Sequence, residues 1–148
     1  MPGEKVLPVE VMPDVFQYVS VTLAQDNEDL GTGRDAIIFF CEEETVIDSA
    51  FLSFTTKDTD NNATFQLGFQ PSNLFGSGTG VGPEATLPAD RQLSTADVLG
   101  TVDDVTHQFT INESNNIIPK GMKIVLKIEN ASDIEGVNVT IRIRTRVR

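Results

Sequence analysis

The sequence has little of the chemistry that catalysis requires. Cys41 is its only cysteine and His107 its only histidine, so no disulfide can form within the chain and the usual zinc-ligand sets cannot be assembled. No Gly-x-Ser-x-Gly turn is present to carry a nucleophilic serine. Cys41 follows an apolar run and is predicted to be a buried, unreactive thiol. We therefore expect no enzyme, no catalytic residue, no cofactor and no metal ion.

Positive charge is scarce as well. Lysine and arginine number 11 against 22 aspartates and glutamates, for a formal charge of −11. Binding to nucleic acid through its phosphates needs clustered basic side chains, so we expect no nucleic-acid partner. No apolar stretch is long enough to cross a membrane, and no apolar signal core follows Met1. These absences predict no membrane partner and synthesis in a cytoplasm.

Aromatic residues other than phenylalanine are nearly missing. Tryptophan does not occur and Tyr18 is the only tyrosine, whereas phenylalanine occurs nine times. Sugar-binding platforms usually expose tryptophan or tyrosine, so this composition weighs against a carbohydrate site. Phenylalanine suits a core or a protein interface better.

What the sequence does contain is a series of short β-like segments separated by turn residues. In most of them apolar and polar residues alternate, as in strands with one buried face. Ala36–Cys41 is apolar throughout, which predicts a strand covered on both faces. Helix patterns are almost absent. We predict an all-β fold, an antiparallel β-sandwich, with strands at Val15–Leu23, Ala36–Cys41, Thr45–Phe54, Ala63–Gln70, Thr106–Ile111, Met122–Asn130 and Val137–Val147.

Two segments differ from the strands in composition. Residues 1–14 contain Pro2, Pro8 and Pro13, which favour an extended conformation. Residues 71–101 are rich in glycine and proline and predict a long surface loop, with a short capped helical turn at residues 94–99. At 148 residues the chain has the size of one domain. We predict an extended N-terminal arm, 1–14, and a single β-sandwich domain, 15–148.

The extended arm has two interpretations. Loose termini are common, but apolar side chains are poorly used in a freely moving tail. An arm that lies along a partner protein would bury them. The candidate partner-binding residues of the arm are Val6, Leu7, Val9, Val11 and Met12.

The charge is polarised along the chain. Residues 1–60 carry 13 acidic and 3 basic side chains, whereas residues 117–148 carry 3 acidic and 7 basic ones. Such a chain can pair its own halves or pair with copies of itself. The last predicted strand concentrates the positive charge on one face, on alternate residues roughly 7 Å apart. We name this set the arginine stripe: Arg142, Arg144, Arg146 and Arg148.

The arginine stripe has three interpretations. It could be a solvated outer face, a face that meets carboxylates of another subunit or partner protein, or a contact for nucleic acid. We favour the protein interface, because arginine rather than lysine is used throughout and arginine is the favoured interface cation. Nucleic acid is the weakest of the three, because the surrounding field is negative.

Acidic clusters offer a calcium site only in part. Asp58–Asn62 places oxygen ligands at alternate positions, but the central glycine is missing, and Phe69 stands where a bidentate glutamate is needed. A polar turn is the better interpretation. The same holds for the cluster of Asp26, Glu28 and Asp29, and the charge runs Glu42–Glu44 and Asp103-Asp104 are predicted to be exposed loops.

The second half of the chain has a recognisable order of strands and turns. Ile118-Pro119-Lys120-Gly121 leads into the strand Met122–Glu129, a short turn follows, and Val137–Val147 is the last strand. Earlier, Ala36–Phe40 leads to Thr45-Val46-Ile47. Over about residues 36–148 this order resembles the small jelly-roll capsid decoration (cement) proteins of tailed bacteriophages. The Pro-Lys-Gly turn is the best single point of likeness.

The resemblance implies a jelly-roll fold and a structural role in a virion. It implies a homotrimer on the outer surface of an icosahedral head, where it ties neighbouring capsomers together. Its partners would be the major capsid protein and its own copies, and the arm could run over the capsid surface. Assembly would take place inside the bacterial host.

Two other classes of jelly roll remain as alternatives. One is a carbohydrate-binding or adhesin-type module, as in a head fibre or tail appendage, and the shortage of tryptophan and tyrosine weighs against it. The other is a cupin-type enzyme, which a lone histidine disfavours because such a site needs several metal ligands.

Overall fold

The computed structural model describes residues 15–25, 36–56, 63–71, 87–95, 98–99, 106–129 and 134–146. The predicted arm, 1–14, lies outside these residues. Within them the chain forms nine strands and one short 3-10 turn, Ala89–Arg91. None of the described residues forms a helix long and apolar enough to cross a membrane. The strands are β1 (Val15–Thr22), β2 (Ala36–Phe40), β3 (Thr45–Ser53), β4 (Thr64–Pro71), β5 (Val98–Leu99), β6 (His107–Gln108), β7 (Ile117–Ile118), β8 (Met122–Glu129) and β9 (Asn138–Thr145).

The strands form two antiparallel sheets. The first sheet has the order β1-β9-β3-β6, with β7 also paired to β3, and the second has the order β2-β8-β4-β5. If β6 and β7 are taken as one interrupted strand along β3, the eight strands have the arrangement of a jelly roll. The prediction of an all-β, jelly-roll-like sandwich is confirmed.

The alternating sequence explains why the two sheets pack face to face. Along β9, the side chains of Val139, Ile141 and Ile143 are fully buried, whereas Thr140 and Arg142 between them are partly exposed. Strands β4 and β8 also turn every second side chain towards the other sheet, but part of their outer face is buried as well. The shared core includes Ile47, Ala50, Leu52, Phe65, Leu67, Phe69, Ile124, Leu126 and Ile128.

Strand β2 differs from its prediction. Ala36–Cys41 was expected to be covered on both faces because it is apolar throughout, but the side chain of Phe40 is 53% exposed. The reason is topological: β2 is the edge strand of the second sheet and pairs only with β8 among the described strands. A register shift between Ile37 and Phe39 also interrupts that pairing.

The predicted loop 71–101 contains part of the fold. Residues 72–86 lie outside the described residues, but Leu87 and Leu93 are buried. The prediction of a helical turn at residues 94–99 is wrong. Ser94 forms an isolated bridge with Ile111, and Val98–Leu99 is β5, paired with Thr64 and Phe65.

The segment from Leu87 to Arg91 lies over the outer side of β4. A Cβ atom placed on Gly68 would overlap the Leu87 methyl groups and come within 3.0 Å of the Arg91 carbonyl oxygen. Glycine therefore allows the close approach of this segment to the sheet. Gln70 and Lys123 on the outer side of the second sheet are also buried, and burial lowers the pKa of Lys123.

Candidate functional site

The outer face of the first sheet carries the most distinctive side chains of the described surface. On β1, Phe16 is 52% exposed and Tyr18 is 68% exposed. On β9, Arg144 is opposite Phe16 and Arg142 is opposite Tyr18. Because directly opposite residues of an antiparallel pair lie on the same face, these four side chains form one patch. We name it the aromatic–arginine face.

The Phe16 ring holds two members of the arginine stripe. The guanidinium carbon of Arg142 lies 4.7 Å from the ring centroid, and that of Arg144 lies 5.9 Å from it. Both distances are within the range of cation–π attraction. The guanidinium groups are therefore positioned over an aromatic ring while remaining partly open to solvent.

Carboxylates of β3 and the turn before it neutralise part of the stripe. Arg144 Nε donates to both carboxylate oxygens of Asp48, at 2.9 and 3.0 Å. Arg146 Nη1 donates to Glu44 Oε1 at 3.2 Å, and the Arg146 backbone N–H donates to the Glu44 carbonyl at 2.9 Å. The acidic first half of this chain thus pairs with its own basic last strand. Arg148 lies outside the described residues.

The segment of β3 that carries Asp48 is irregular. The register between β3 and β9 shifts between Ile47 and Ser49, so Asp48 is the additional residue of a β-bulge. Bulges redirect a side chain relative to the regular pleat. The alternating pattern of the sequence does not reveal this bulge, which contains the Asp48 partner of Arg144.

A cleft of about 560 Å³ opens beside this face, where the edges of the two sheets meet. Gln17 of β1 lines one side, and Phe39 and Phe40 of β2 line the other. Glu42 and Glu43 also contribute to its wall. The exposed side chain of Phe40 forms part of this cleft.

Cys41 and His107, the two candidate catalytic residues of the sequence, pack against other parts of the fold. Cys41 is 2% exposed, and burial raises the pKa of its thiol to about 11, although a hydrogen bond with Thr45 acts in the opposite direction. His107 stacks on Phe54, with ring centroids 5.0 Å apart and planes 11° from parallel. The thiol is therefore protonated at neutral pH, and it cannot act as a nucleophile in that form.

The described residues contain no cluster of three or more histidine, cysteine, aspartate or glutamate side chains that could hold a metal ion. The two acidic segments considered for calcium, Asp58–Asn62 and Asp26–Asp29, lie outside the described residues, as does the charge run Asp103-Asp104. The arm residues Val6, Leu7, Val9, Val11 and Met12 also lie outside them.

The sequence indicated the position of the arginines but not their surroundings. Phe16 and Tyr18 were missed as site residues, although alternation with Val19 and Val21 already placed them on the outer face. Asp48 was missed because its partner Arg144 is 96 residues away in the sequence. Together these residues form a surface suited to protein contact, since aromatic side chains and arginine are enriched at interfaces.

No model of a protein family matches the sequence, and no curated protein is similar to it. Among solved structures, a chain from the capsid of Ralstonia phage GP4 has a TM-score of 0.50 and 15% identity, over 99% of this chain and 94% of that one. A chain from Bacillus endospore appendages, described as disulfide-linked pili, has a TM-score of 0.45 and 10% identity, over 99% of both chains.

A chain of infectious bursal disease virus, Gx strain, has a TM-score of 0.44 and 13% identity. It matches 88% of this chain, which spans only 32% of that one. Likenesses with TM-scores below 0.5 are too small to support an argument. What the comparisons establish is an architecture that this chain shares with a chain of a phage capsid.

Proposed function

We propose that this chain is a structural protein of a phage virion, and specifically a capsid decoration protein. It would bind the outer surface of the head and stabilise contacts between capsomers of the major capsid protein. The observation that carries the proposal is the aromatic–arginine face, where Phe16 and Tyr18 are exposed beside Arg142 on two strands in unbroken register.

The composition of this face favours a protein partner. Tyrosine and arginine are the residues that most often dominate binding energy when a partner excludes water from them. The Phe16 ring already orders Arg142, so less side-chain freedom is lost when a carboxylate or a backbone carbonyl of the partner accepts its hydrogen bonds. A face of this kind is suited to binding a protein rather than to catalysis.

The fold supports the same proposal at a coarser level. A chain of the Ralstonia phage GP4 capsid has this architecture over nearly its full length, so a jelly roll of this size can be part of a phage head. The sequence resemblance described above points to the decoration class among head proteins. It also implies the homotrimer and the location on the capsid surface, which belong to the proposal.

A carbohydrate-binding or adhesin-type module is the second candidate. Tyr18 favours it, because this tyrosine is 68% exposed and could stack against a sugar ring. The neighbouring guanidinium groups favour a charged partner instead. Specific binding on a glycan array, lost in Tyr18→Ser, would support this candidate over the first.

Co-sedimentation with phage heads tests the proposal. The purified chain is mixed with expanded heads of the phage that encodes it, prepared without the chain, and the heads are pelleted. Wild type should pellet with the heads, and Arg142→Glu should bind at least about tenfold more weakly, because it reverses a charge within the contact. Lys120→Glu changes the net charge equally on an exposed turn and should bind normally.

Two outcomes would contradict parts of the proposal. A wild-type chain that stays in the supernatant would refute capsid decoration. Normal binding by a chain lacking residues 1–14 would remove the arm from the contact and leave the aromatic–arginine face as the proposed site.

A further inference from the structure

Within the described part of the chain, strand β1 has one edge that no other strand pairs with. Among the described strands it pairs only with β9. The Leu23 N–H donates to the Val137 carbonyl at 2.8 Å, and these two residues continue the β1–β9 register. Hydrogen-bonded pairs alternate along an antiparallel ladder. Gln17, Val19 and Val21 therefore bond to β9, and the backbone groups of Phe16, Tyr18, Ser20 and Thr22 point towards the free edge.

The other described edges are short or interrupted, whereas β1 is neither. β2 has five residues and a register shift, and β5 and β6 have two residues each. Proteins commonly prevent unwanted strand addition by such short edges and bulges, or by charged residues and proline. β1 runs for eight residues in unbroken register with β9 and contains no proline. It therefore retains the full capacity of an open edge to accept another strand.

The charge of this edge is also unusual for the chain. The protein has a formal charge of −11, yet no charged residue occurs from Val15 to Gln25. The β1 side chains that face outward are Phe16, Tyr18, Ser20 and Thr22, all of them exposed and neutral. A copy of this edge can thus approach another copy without placing like charges opposite each other.

We propose that β1 docks against β1 of a second copy of this chain, in antiparallel orientation, so that the first sheets of two molecules become one continuous sheet. The contact is isologous, with a two-fold axis across the paired strands. Opposite residues must lie on the same face, so the compatible registers include the one in which Val19 faces Val19. In that register Tyr18 of one copy faces Ser20 of the second copy.

Exposed apolar side chains cluster at the same side of the sandwich. Among the described residues, four large apolar side chains are exposed, namely Phe16, Tyr18, Phe40 and Ile117. Three of them lie on the adjacent edge strands β1 and β2, with the cleft lined by Gln17, Phe39 and Phe40 between. A strand added at β1 would give Phe16 and Tyr18 new cross-strand neighbours on the extended sheet and would place the second copy beside the cleft. Burial of apolar surface and new backbone hydrogen bonds would then act together.

This pairing does not depend on the virion role, because it concerns two copies of the chain alone. It joins molecules in twos, and in a homotrimer it would be a contact between trimers rather than within one. Failure of the chain to bind phage heads would leave the pairing standing. Failure to pair in solution would leave the capsid proposal standing.

Light scattering and residue-resolved amide exchange on the full chain test the pairing. Raising the concentration should bring the mass to an even number of chains. The amides of Phe16, Tyr18, Ser20 and Thr22 should exchange fast in dilute solution and slowly in concentrated solution. Those of Gln17, Val19 and Val21 should be protected throughout, since β9 already binds them.

A matched pair of variants isolates the edge. Ser20→Pro removes one outward N–H and should weaken association by about tenfold or more. Ser20→Ala loses the 2.8 Å side-chain hydrogen bond to Thr140 Oγ1 within the same copy. Because it keeps the backbone N–H, it should associate as wild type does. Circular dichroism checks that both variants fold. A monomer at all concentrations, or association with the four outward amides still exchanging fast, would overturn the proposal.

Discussion

At the scale of single residues, the surroundings of a reactive group decide what it can do. Cys41 follows the last residue of β2, and its backbone is tied to the neighbouring turn by two bonds: its N–H donates to the Met122 carbonyl, and its carbonyl accepts from the Gly121 N–H, both at 2.8 Å. Its thiol lies within the core cluster. A group held there acts as a small hydrophobic side chain, and its ionisation opposes folding.

Cys41 should therefore make the fold less stable in alkaline solution. Folding raises the thiol pKa from 9.0 to about 11, so between these pH values the unfolded chain loses a proton that the folded chain keeps. Stability is complete below about pH 9 and falls as the pH rises through 11, by roughly 2–3 kcal/mol in total. Urea unfolding at a series of pH values measures this decline.

The Cys41→Ala variant is the control for that measurement. It retains every other titrating group, including Lys123, whose pKa burial lowers and whose contribution has the opposite sign. The difference in unfolding free energy between wild type and variant should shrink above pH 9. A difference that stays constant up to pH 11 would show that the thiol ionises equally in both states.

At the scale of secondary-structure elements, the fold depends on a short segment that has almost no regular structure of its own. Leu87 to Arg91 lies against β4, and the Leu93 N–H donates to the Leu67 carbonyl at 2.9 Å. Ser94 Oγ accepts the Leu67 N–H at 3.1 Å. The hydrogen bonds to Leu67 lie next to the close contact at Gly68. Together they anchor the segment to the second sheet.

Replacing Gly68 with alanine should disrupt this contact. The new Cβ would overlap Leu87 and press on the Arg91 carbonyl oxygen, and the expected loss of unfolding free energy is roughly 1–3 kcal/mol. Combining Gly68→Ala with Leu87→Ala should cost less than the sum of the two, because the second change removes the overlapping methyl groups. Urea unfolding of the four proteins measures this coupling.

Gly121→Ala supplies the matched control. Gly121 has a φ of 89° and no atom within 4 Å of a built Cβ, so alanine there costs free energy through its backbone conformation alone. Its effect should add to that of Leu87→Ala. Additive effects at Gly68 as well would mean that Leu87 does not limit the space at that position.

The long strands and the short ones differ in how far the sequence predicts them. The strands Val15–Thr22, Thr64–Pro71, Met122–Glu129 and Asn138–Thr145 each contain enough residues for alternation to show. The apolar faces of the last three are largely buried as predicted, whereas on β1 Val19 and Val21 are only partly buried and Gln17 is exposed. β5 and β7 have two residues each, which is too few for any period. Their conformation is set by strands distant in sequence, so no local pattern predicts them.

The same distinction applies to the candidate site. Alternation places Arg142, Arg144 and Arg146 on one face, and β9 confirms it for Arg142 and Arg144. Which side chains meet them depends on strand order, since Asp48 is 96 residues from Arg144 and Glu44 is 102 residues from Arg146. A bulge, a neighbouring strand and a cation–π contact all arise from tertiary pairing, which a single sequence does not encode locally.

At the scale of the whole molecule, the polarised charge is partly resolved by folding. The acidic first half and the basic last strand meet across β3 and β9, where Arg144 and Arg146 find carboxylates. Local pairs of this kind reduce repulsion within the arginine stripe, but the net charge of −11 remains. Two copies of the chain therefore repel each other at long range, and salt screens this repulsion. The β1 edge is uncharged, so salt should have little effect on contacts at the edge itself.

The Asp48–Arg144 pair should make a small, measurable contribution to stability. The side chains are 21% and 27% exposed, respectively, so a double-mutant cycle of Asp48→Asn and Arg144→Gln should give a coupling of roughly 0.5–1 kcal/mol that falls with salt. The looser pair Lys127–Glu129, at 3.6 Å with Glu129 57% exposed, should give less. Equal couplings would mean that the two-oxygen geometry at Asp48 adds nothing.

The strand order also governs when the molecule can fold. β9 lies between β1 and β3, and β8 lies between β2 and β4, so one of the two inner strands of each sheet is among the last two strands of the described chain. During synthesis neither sheet has its centre until residues 122–145 have left the ribosome. β1 emerges early and waits for a partner about 120 residues further along. We therefore expect the two sheets to be completed late. A chain interrupted before β8 would lack the strands that join β1 to β3 and β2 to β4.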